Sequence, residues 1–381
     1  MKIKKNELLF YLAYTLLFIS FFLGDVNIDI GLMGSVFRYF AYLILIIQLF
    51  MSNWKLKDIL STLVLMMFSI VFYFVTKDLY WAVLVLIIFE TKNIEVNNIF
   101  KYTSVLVIVG ILGVVVACLI GILPDVLTSR EGMGFVGTRH SFGFVHSNVF
   151  PLLVVYILLY YIWIKKEKVK WSILLLFTSI ELILFRLCDA RNSFYATILI
   201  LVLMVVFKLF NHKRLINIFE KLCYAILPVL SMFSYAMTFL LLKGGIYDKI
   251  DSFFSGRFRI AIYKANLLGI HFVNFMSDAD YFKDGMIIDN GYLYIILRYG
   301  LAFIIIYYIV NCLLVKKVKK NRYLLSCIFV VWILNFIDND LVDYSVLPFI
   351  IFALNGNILD ENKHVGVESS NEECNSGYIN I

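Results

Sequence analysis

The chain has 381 residues, of which 62% are hydrophobic and 16% are charged, and its formal net charge is +7. A soluble protein of this composition would lack the polar residues needed to cover its surface, so the soluble classes are excluded. The apolar runs are continuous, as spanning helices require, and do not alternate as the strands of a membrane barrel do. We therefore predict an all-α polytopic membrane protein, and we expect no nucleic acid partner.

The apolar runs predict about twelve transmembrane helices. In chain order they lie near 7–23, 34–51, 59–75, 79–90, 101–122, 146–164, 171–188, 193–210, 222–242, 291–315, 323–337 and 342–359. The first follows a basic N-terminus, as a signal peptide would, but no small-x-small cleavage site follows, so we interpret it as a span. The region 59–90 is short for two full crossings, and a re-entrant hairpin there is an alternative.

The lysines predict the orientation, because cytoplasmic loops of membrane proteins carry an excess of positive charge. With the N-terminus in the cytoplasm, the inner segments hold 19 lysines and the outer segments hold five. This predicts a multi-pass protein of the cytoplasmic membrane with both termini cytoplasmic and with external loops 123–145 and 243–290. We predict one helical membrane domain over 1–359, then a polar, disordered tail over 360–381.

The arginines follow the opposite distribution. Eight of the ten lie in outer segments or in the outer halves of spans. A guanidinium presents a rigid charged fork to phosphate and is less costly to desolvate than an ammonium, so this bias predicts an anionic ligand at the outer face, such as a lipid-linked pyrophosphate. The alternative is pairing with ordinary lipid headgroups or with external carboxylates. The candidate carboxylates are Asp125, Glu131, Asp189 and Asp251.

One acid lies in the middle of a predicted span. Glu181 has to face the bundle interior or a partner, and Arg186, five residues further on, is a candidate partner. A structural ion pair and a functional role both remain open for this acid.

The first external loop ends in the sequence RHSFGFVHSN at 139–148. His146 and Asn148 fall at the start of the predicted helix 146–164, where backbone N–H groups and the helix dipole favour an anion. The alternative is that Ser147 or Asn148 only caps the helix.

Three further motifs follow on the external side: ARNS at 190–193, SGRFRIAIYKA at 255–265 and DNGYLY at 289–294. The second is typical of an amphipathic segment that lies in the membrane interface. Asp289, at the point where the chain re-enters the membrane, is well placed to accept a proton from a hydroxyl substrate. The alternative for Asp289 is an N-cap carboxylate.

Together and in this order, the four motifs resemble those of the Wzy-type polysaccharide repeat-unit polymerases, which belong with the O-antigen ligases. The family pattern Arg-x-x-x-Gly-Phe-x-His-x-Asn is matched at 139–148, with Ser147 where proline is usual, and the final element is matched by DNGYLYIILRYGL at 289–301. The resemblance covers about residues 100–315. The ligases typically have histidine at the position of Asp289, so aspartate favours the polymerase branch.

The resemblance implies a GT-C-like fold and glycosyl transfer at the outer membrane face, without metal or cofactor. The donor would be a glycan on undecaprenyl pyrophosphate and the acceptor a single lipid-linked repeat unit, with a flippase and a chain-length regulator as partners in the bilayer. Asp289 would be the base, with His271 as an alternative. The pyrophosphate would be stabilised by Arg139, Arg191, Arg257 and Arg259. Substrates would be positioned by His146, Asn148, Tyr263, Asn290 and Tyr292.

Two other functions compete with the polymerase. A ligase would move glycan from the same lipid donor to a different acceptor, and the arginines do not separate the two. A lipid-linked oligosaccharide transporter would suit twelve spans, but a transporter should concentrate charge at the midplane and often shows internal duplication, which this sequence lacks.

Overall fold

The computed structural model describes residues 2–4, 7–51, 60, 63, 66–67, 69–70, 73–74, 79–129, 138–210, 212–254, 256–274, 276, 281, 285–338 and 378–380. The predicted span 342–359 lies outside these residues, and so do most of the predicted span 59–75 and most of the predicted tail over 360–381. Glu131, one of the candidate arginine partners, also lies outside them.

The described residues form thirteen complete α-helices. These are α1 (Leu8–Gly24), α2 (Met33–Met51), α3 (Tyr80–Glu90), α4 (Val96–Leu119), α5 (Val149–Lys165), α6 (Trp171–Cys188), α7 (Arg191–Leu209), α8 (Lys213–Leu240), α9 (Ile246–Phe253), α10 (Arg257–Leu268), α11 (Gly291–Tyr299), α12 (Leu301–Val318) and α13 (Arg322–Ile337). Short 3₁₀ turns cover Thr91–Asn93, Lys166–Lys168 and Leu241–Lys243. Four short strands pair antiparallel, β1 (Lys2–Lys4) with β4 (Tyr378–Asn380) and β2 (Thr128–Ser129) with β3 (Thr138–Arg139).

The chain is an all-α, multi-pass membrane protein. Seven described helical segments are long and apolar enough to cross a bilayer: Met33–Met51, Val96–Leu119, Val149–Lys168, Trp171–Cys188, Arg191–Leu209, Lys213–Lys243 and Leu301–Val318. Three shorter apolar helices, Leu8–Gly24, Tyr80–Glu90 and Arg322–Ile337, accompany them. The total of twelve spans stays a prediction.

The predicted span over 291–315 is not one continuous helix, because the helix is broken at Gly300. This residue has φ +94° and ψ 172°, far from helical values, and it separates α11 from α12. A Cβ at Gly300 would lie 2.7 Å from the backbone nitrogen of Asn274 and 2.7 Å from the carbonyl oxygen of Phe272. Only glycine fits a position with this backbone conformation and so close a neighbour.

Residues 271–274, which we call the strap, supply the hydrogen bonds that the break removes from the helix. Asn274 donates from its backbone nitrogen to the carbonyl of Tyr299 at 3.0 Å, and from Nδ2 to the carbonyl of Leu297 at 2.8 Å. On the other side, the N–H groups of Leu301 and Ala302 donate to carbonyls of the strap at 3.1 and 2.8 Å. The strap therefore caps the end of α11 and the start of α12 together.

The chain divides into two compact units: one comprises Met1–Ile59, Leu86–Val202 and Asn355–Ile381, and the other comprises Leu60–Val85 and Leu203–Leu354. In the first unit α5 forms the core, and Phe100 of α4 packs with ring centroids 5.6 Å from Tyr160 and 4.9 Å from Trp163. In the second unit all nine residues of α11 are buried, and Phe219 of α8 packs 5.1 Å from Phe329 of α13.

Candidate functional site

Asp125 organises the loop between α4 and α5 in the first unit. Its Oδ1 accepts hydrogen bonds from the backbone nitrogens of Ser141 at 2.8 Å and Phe142 at 2.9 Å. Its Oδ2 lies 2.6 Å from Nδ1 of His140, and the Ser141 hydroxyl oxygen accepts from the N–H of Val126 at 2.8 Å. Burial acts to raise the pKa of Asp125, but these hydrogen bonds to the carboxylate outweigh burial and hold the pKa below its ordinary value.

We expect Asp125→Ala to destabilise the purified protein by about 2 kcal/mol, because the N–H groups of Ser141 and Phe142 lose a charged acceptor. Asp125→Asn keeps an acceptor oxygen and should cost less. Because the pKa is lowered, the carboxylate stabilises the fold above the ordinary carboxyl range, and this contribution is lost as the pH falls through the lowered pKa. Thermal unfolding measured against pH checks both effects; equal unfolding temperatures for Asp125→Ala and the wild type would contradict them.

The Gly-Phe part of the same motif packs the loop onto the connection between α1 and α2. Gly143 has φ +89°, and a Cβ there would lie 3.1 Å from a side-chain methyl of Val114. Its carbonyl accepts from the N–H of Asn27 at 2.9 Å. Phe144 next to it is fully buried. These two residues of the motif therefore have a structural role.

Arg139 and Arg191 are brought to one turn. Arg139 donates from Nε to the carbonyl of Cys188 at 2.9 Å, and Arg191 places its Nε 3.2 Å from Oδ1 of Asp189. Cys188 is the last residue of α6, and Asp189 follows it with φ +47°. We call Arg139 and Arg191 the arginine corner. The C-terminal carbonyls of a helix attract cations. The adjacent residues Cys188 and Asp189 at this turn therefore orient both guanidinium groups.

The helix predicted at 146–164 begins at Val149, so His146 and Asn148 lie directly before α5 and not within its first turn. Asn148 occupies the N-cap position, but its side chain makes no capping hydrogen bond, so the alternative of side-chain capping by Asn148 does not hold. His146 is exposed, and Ser147 between them is buried.

In the second unit, the carboxylate of Asp251 on α9 lies at the N-terminus of α10. Its Oδ1 accepts from the backbone nitrogens of Phe258 at 2.9 Å and Arg259 at 3.3 Å, and only 1% of the residue is exposed. The Arg259 side chain lies 3.7 Å from Oδ2 of Asp251 and donates to Asp248 at 3.2 Å. The carboxylate-pairing alternative therefore holds for Arg259 with Asp251, as it does for Arg191 with Asp189.

Among the predicted site residues, Arg257 and Asp289 form a pair of opposite charges. Nη2 of Arg257 lies 3.9 Å from Oδ2 of Asp289, and the side chains are 14% and 53% exposed respectively. Nη1 of Arg257 is buried and has no hydrogen-bond partner in the described part of the chain. The N-cap alternative for Asp289 is wrong, because Asn290 caps α11 by accepting from the N–H of Leu293 at 3.0 Å.

Asn290 and Tyr292 are buried and bonded within the protein. The Asn290 amide donates to the Ser234 hydroxyl at 3.1 Å and to the Phe336 carbonyl at 2.9 Å. The Tyr292 hydroxyl donates to the Trp332 carbonyl at 2.7 Å. These bonds fix the start of α11 against α8 and α13, and a direct role of either residue with substrate stays a prediction.

The remaining predicted residues are separate from these groups. Tyr263 on α10 is 48% exposed, and His271 belongs to the strap, with Nε2 3.2 Å from the Leu268 carbonyl oxygen. Glu181 is buried, and neither of its carboxylate oxygens has a hydrogen-bond partner among the described residues. Arg186 is exposed and makes no hydrogen bond with Glu181, so the structural ion pair that the sequence left open is not formed.

The contacts of two buried cations of the second unit with tyrosines were not predicted from the sequence. Lys264 is fully buried, donates to the Tyr281 carbonyl and lies 4.5 Å from the centroid of the Tyr281 ring. Arg298 donates to the Tyr294 hydroxyl and lies 4.9 Å from the centroid of Tyr299. The spacing of Tyr294 and Arg298 by one helical turn is a signal in the sequence, whereas Lys264 and Tyr281 are joined only by the fold.

In the described ranges no group of three or more His, Cys, Asp and Glu side chains is arranged to hold a metal ion. Comparison of the chain with protein-family models, with curated proteins and with solved structures found no match. The resemblance to the polysaccharide polymerases therefore rests on the four motifs of the sequence.

Proposed function

We propose that this chain is a glycosyltransferase that joins oligosaccharide repeat units carried on undecaprenyl pyrophosphate. The observation that carries the proposal is the pair formed by Arg257 and Asp289. Asp289 is an exposed carboxylate, and beside it lies a mostly buried guanidinium whose Nη1 donor has no partner among the described residues, so a base and an anion-binding group lie in one place. Glycosyl transfer from a pyrophosphate donor needs both groups.

In the proposed reaction, a sugar hydroxyl of the acceptor attacks the anomeric carbon of the donor glycan. Asp289 takes the proton of that hydroxyl. A new carbon–oxygen bond forms as the bond between the anomeric carbon and the pyrophosphate breaks, and undecaprenyl pyrophosphate leaves with the bonding electrons. The leaving group needs charge stabilisation and no proton, which Arg257 supplies as a fixed cation.

The arginine corner supports the same proposal. Arg139 and Arg191 are held at adjacent residues of one turn, and a guanidinium is the group best suited to bidentate binding of phosphate. Arg259 already has two acids beside it, so the proposal depends on Arg257 more than on Arg259.

The glycan profile of a strain that lacks the gene tests the proposal. A polymerase predicts loss of long chains while single repeat units are still made. Long lipid-linked chains that never reach their acceptor would replace the polymerase with a ligase. An unchanged polymer would reject the proposal.

The proposal requires the loop 243–290 to face away from the cytoplasm. We expect alkaline phosphatase fused after Lys249 to be active, because this reporter matures only outside the cytoplasm, and a fusion after Lys168 to be inactive. The reverse pattern in intact cells would overturn the orientation.

We expect Arg257→Lys to reduce polymer formation by about 10²-fold, although the charge is kept, because an ammonium cannot place two parallel donors on a phosphate. Arg259→Lys is the matched control in the same helix turn and should have a smaller effect, because Arg259 is 66% exposed and already paired with acids. Polymer length on gels, compared at equal amounts of membrane protein, measures both. Equal losses in the two variants would contradict a special role for Arg257.

A further inference from the structure

Helix α9 exposes apolar side chains and buries an acid, which is the reverse of what a surface helix of a soluble protein does. Ile246 and Phe253 are 68% and 70% exposed, and their spacing of seven residues puts them on one face. Lys249 lies on the same face and is also exposed. Asp251 lies on the opposite face and is 1% exposed.

Contacts with α10 explain why the two acids of α9 lie on the side that faces α10. Asp251 accepts hydrogen bonds from the first N–H groups of α10, and Asp248 accepts one from Arg259. These bonds fix the rotation of α9 about its axis. The apolar side chains are consequently directed away from the protein.

The position of α9 along the chain places it at a membrane boundary. The helical segment Lys213–Lys243 is long and apolar enough to span a bilayer, and no charged residue lies between Lys221 and Lys243. At 1.5 Å per residue this uncharged stretch is about 30 Å long, which is the thickness of the hydrocarbon core. Only Gly244 and Gly245, with φ +67° and +70°, separate the helical segment Lys213–Lys243 from α9.

We infer that α9 lies along the surface of the same bilayer that α8 crosses, with Ile246, Phe253 and the neighbouring Leu242 among the acyl chains. Leu242 is 72% exposed. Lys243 and Lys249 flank these side chains and are both exposed, so they meet the phosphates of anionic phospholipids. The partner of this face is therefore a lipid monolayer that contains anionic headgroups, and this inference does not depend on the proposed reaction.

The sequence alone had assigned the interfacial role to 255–265. In the structure α10 turns Phe258, Ala261 and Lys264 into the protein, whereas α9 keeps its largest apolar side chains exposed. Because Asp248 and Asp251 tie α9 to α10, the depth of α9 in the lipid sets the height of the α10 N-terminus above the membrane.

The inference is tested with the full chain in nanodiscs of phosphatidylglycerol and phosphatidylethanolamine. The photoreactive residue p-benzoyl-phenylalanine replaces Phe253 in one variant, Ile246 in a second and Ser252 in a control. Ser252 is exposed but points about 100° away from Phe253 around the helix. After illumination, mass spectrometry should find lipid adducts several-fold more abundant at 253 and 246 than at 252.

Two results would overturn the inference. One is equal lipid labelling at all three positions. The other is crosslinking of 253 and 246 mainly to a second copy or to another segment of this chain, which would make the face a protein interface.

Replacing Lys243 and Lys249 by glutamate should lower the lipid adducts in phosphatidylglycerol discs but not in pure phosphatidylcholine discs. An unchanged yield in phosphatidylglycerol discs would remove the anionic headgroups as the partner.

Discussion

Gly300→Ala should destabilise the protein by about 3–5 kcal/mol, because two costs add. Alanine is strained at φ +94° and ψ 172°. Its Cβ would also lie 2.7 Å from backbone atoms of Phe272 and Asn274, so the strap has to move. Moving the strap breaks hydrogen bonds at the end of α11 and at the start of α12. Thermal unfolding of the protein in detergent, with amide exchange at Leu301 and Ala302, measures the loss.

Gly285→Ala is the matched control for backbone strain. Gly285 also has a positive φ, +69°, but a Cβ there would have no atom within 4 Å. We expect this variant to lose only about 1 kcal/mol. If both variants lost the same stability, the close approach of the strap to Gly300 would have no energetic importance.

Asp289→Asn should abolish chain elongation while the protein stays folded in the membrane. The amide keeps the shape of the side chain and removes the base, so we expect a loss of about 10²–10⁴-fold in the rate of polymer formation. The folded state should be unaffected, because Asp289 is 53% exposed and its contact with Arg257 is 3.9 Å long. The rate is measured with purified protein and a lipid-linked repeat unit.

Asp248→Asn is the control for Asp289→Asn. Asp248 is another acid of the same loop, similarly exposed at 48%, and it also contacts an arginine, but the proposal gives it no proton to accept. Its variant should retain most of the elongation rate. Normal polymer from Asp289→Asn would remove Asp289 as the base, and His271 in the strap would be the next residue to test.

The long apolar helices of the fold could be predicted from the sequence because each is a continuous apolar run, which is a local signal. The break at Gly300 could not. Residues 291–315 read as one apolar run, and the cause of the break is the strap, which comes from a polar segment earlier in the chain. A hydropathy pattern contains no information about such a distant contact.

The candidate site was predictable to a similar extent. The arginine bias pointed to Arg257, Arg139 and Arg191, and the structure places the last two at one turn. Polar residues of a motif can serve packing or chemistry, and sequence does not separate the two. Asn290 and Tyr292 were therefore assigned to substrate, which stays a prediction, and the structure shows that their polar groups also hold α11.

The strap also has a consequence for the order of synthesis. Asn274 is made 23 residues before its partner Leu297, which at ribosomal speed is about one to five seconds. When α11 and α12 emerge, they form a run apolar enough to be inserted as one unbroken helix. The segment that prevents this is already present, so the point at which α12 begins is decided by chain that was translated before it. A strap variant should therefore show its defect first during insertion of the nascent chain, before the finished protein can be assayed.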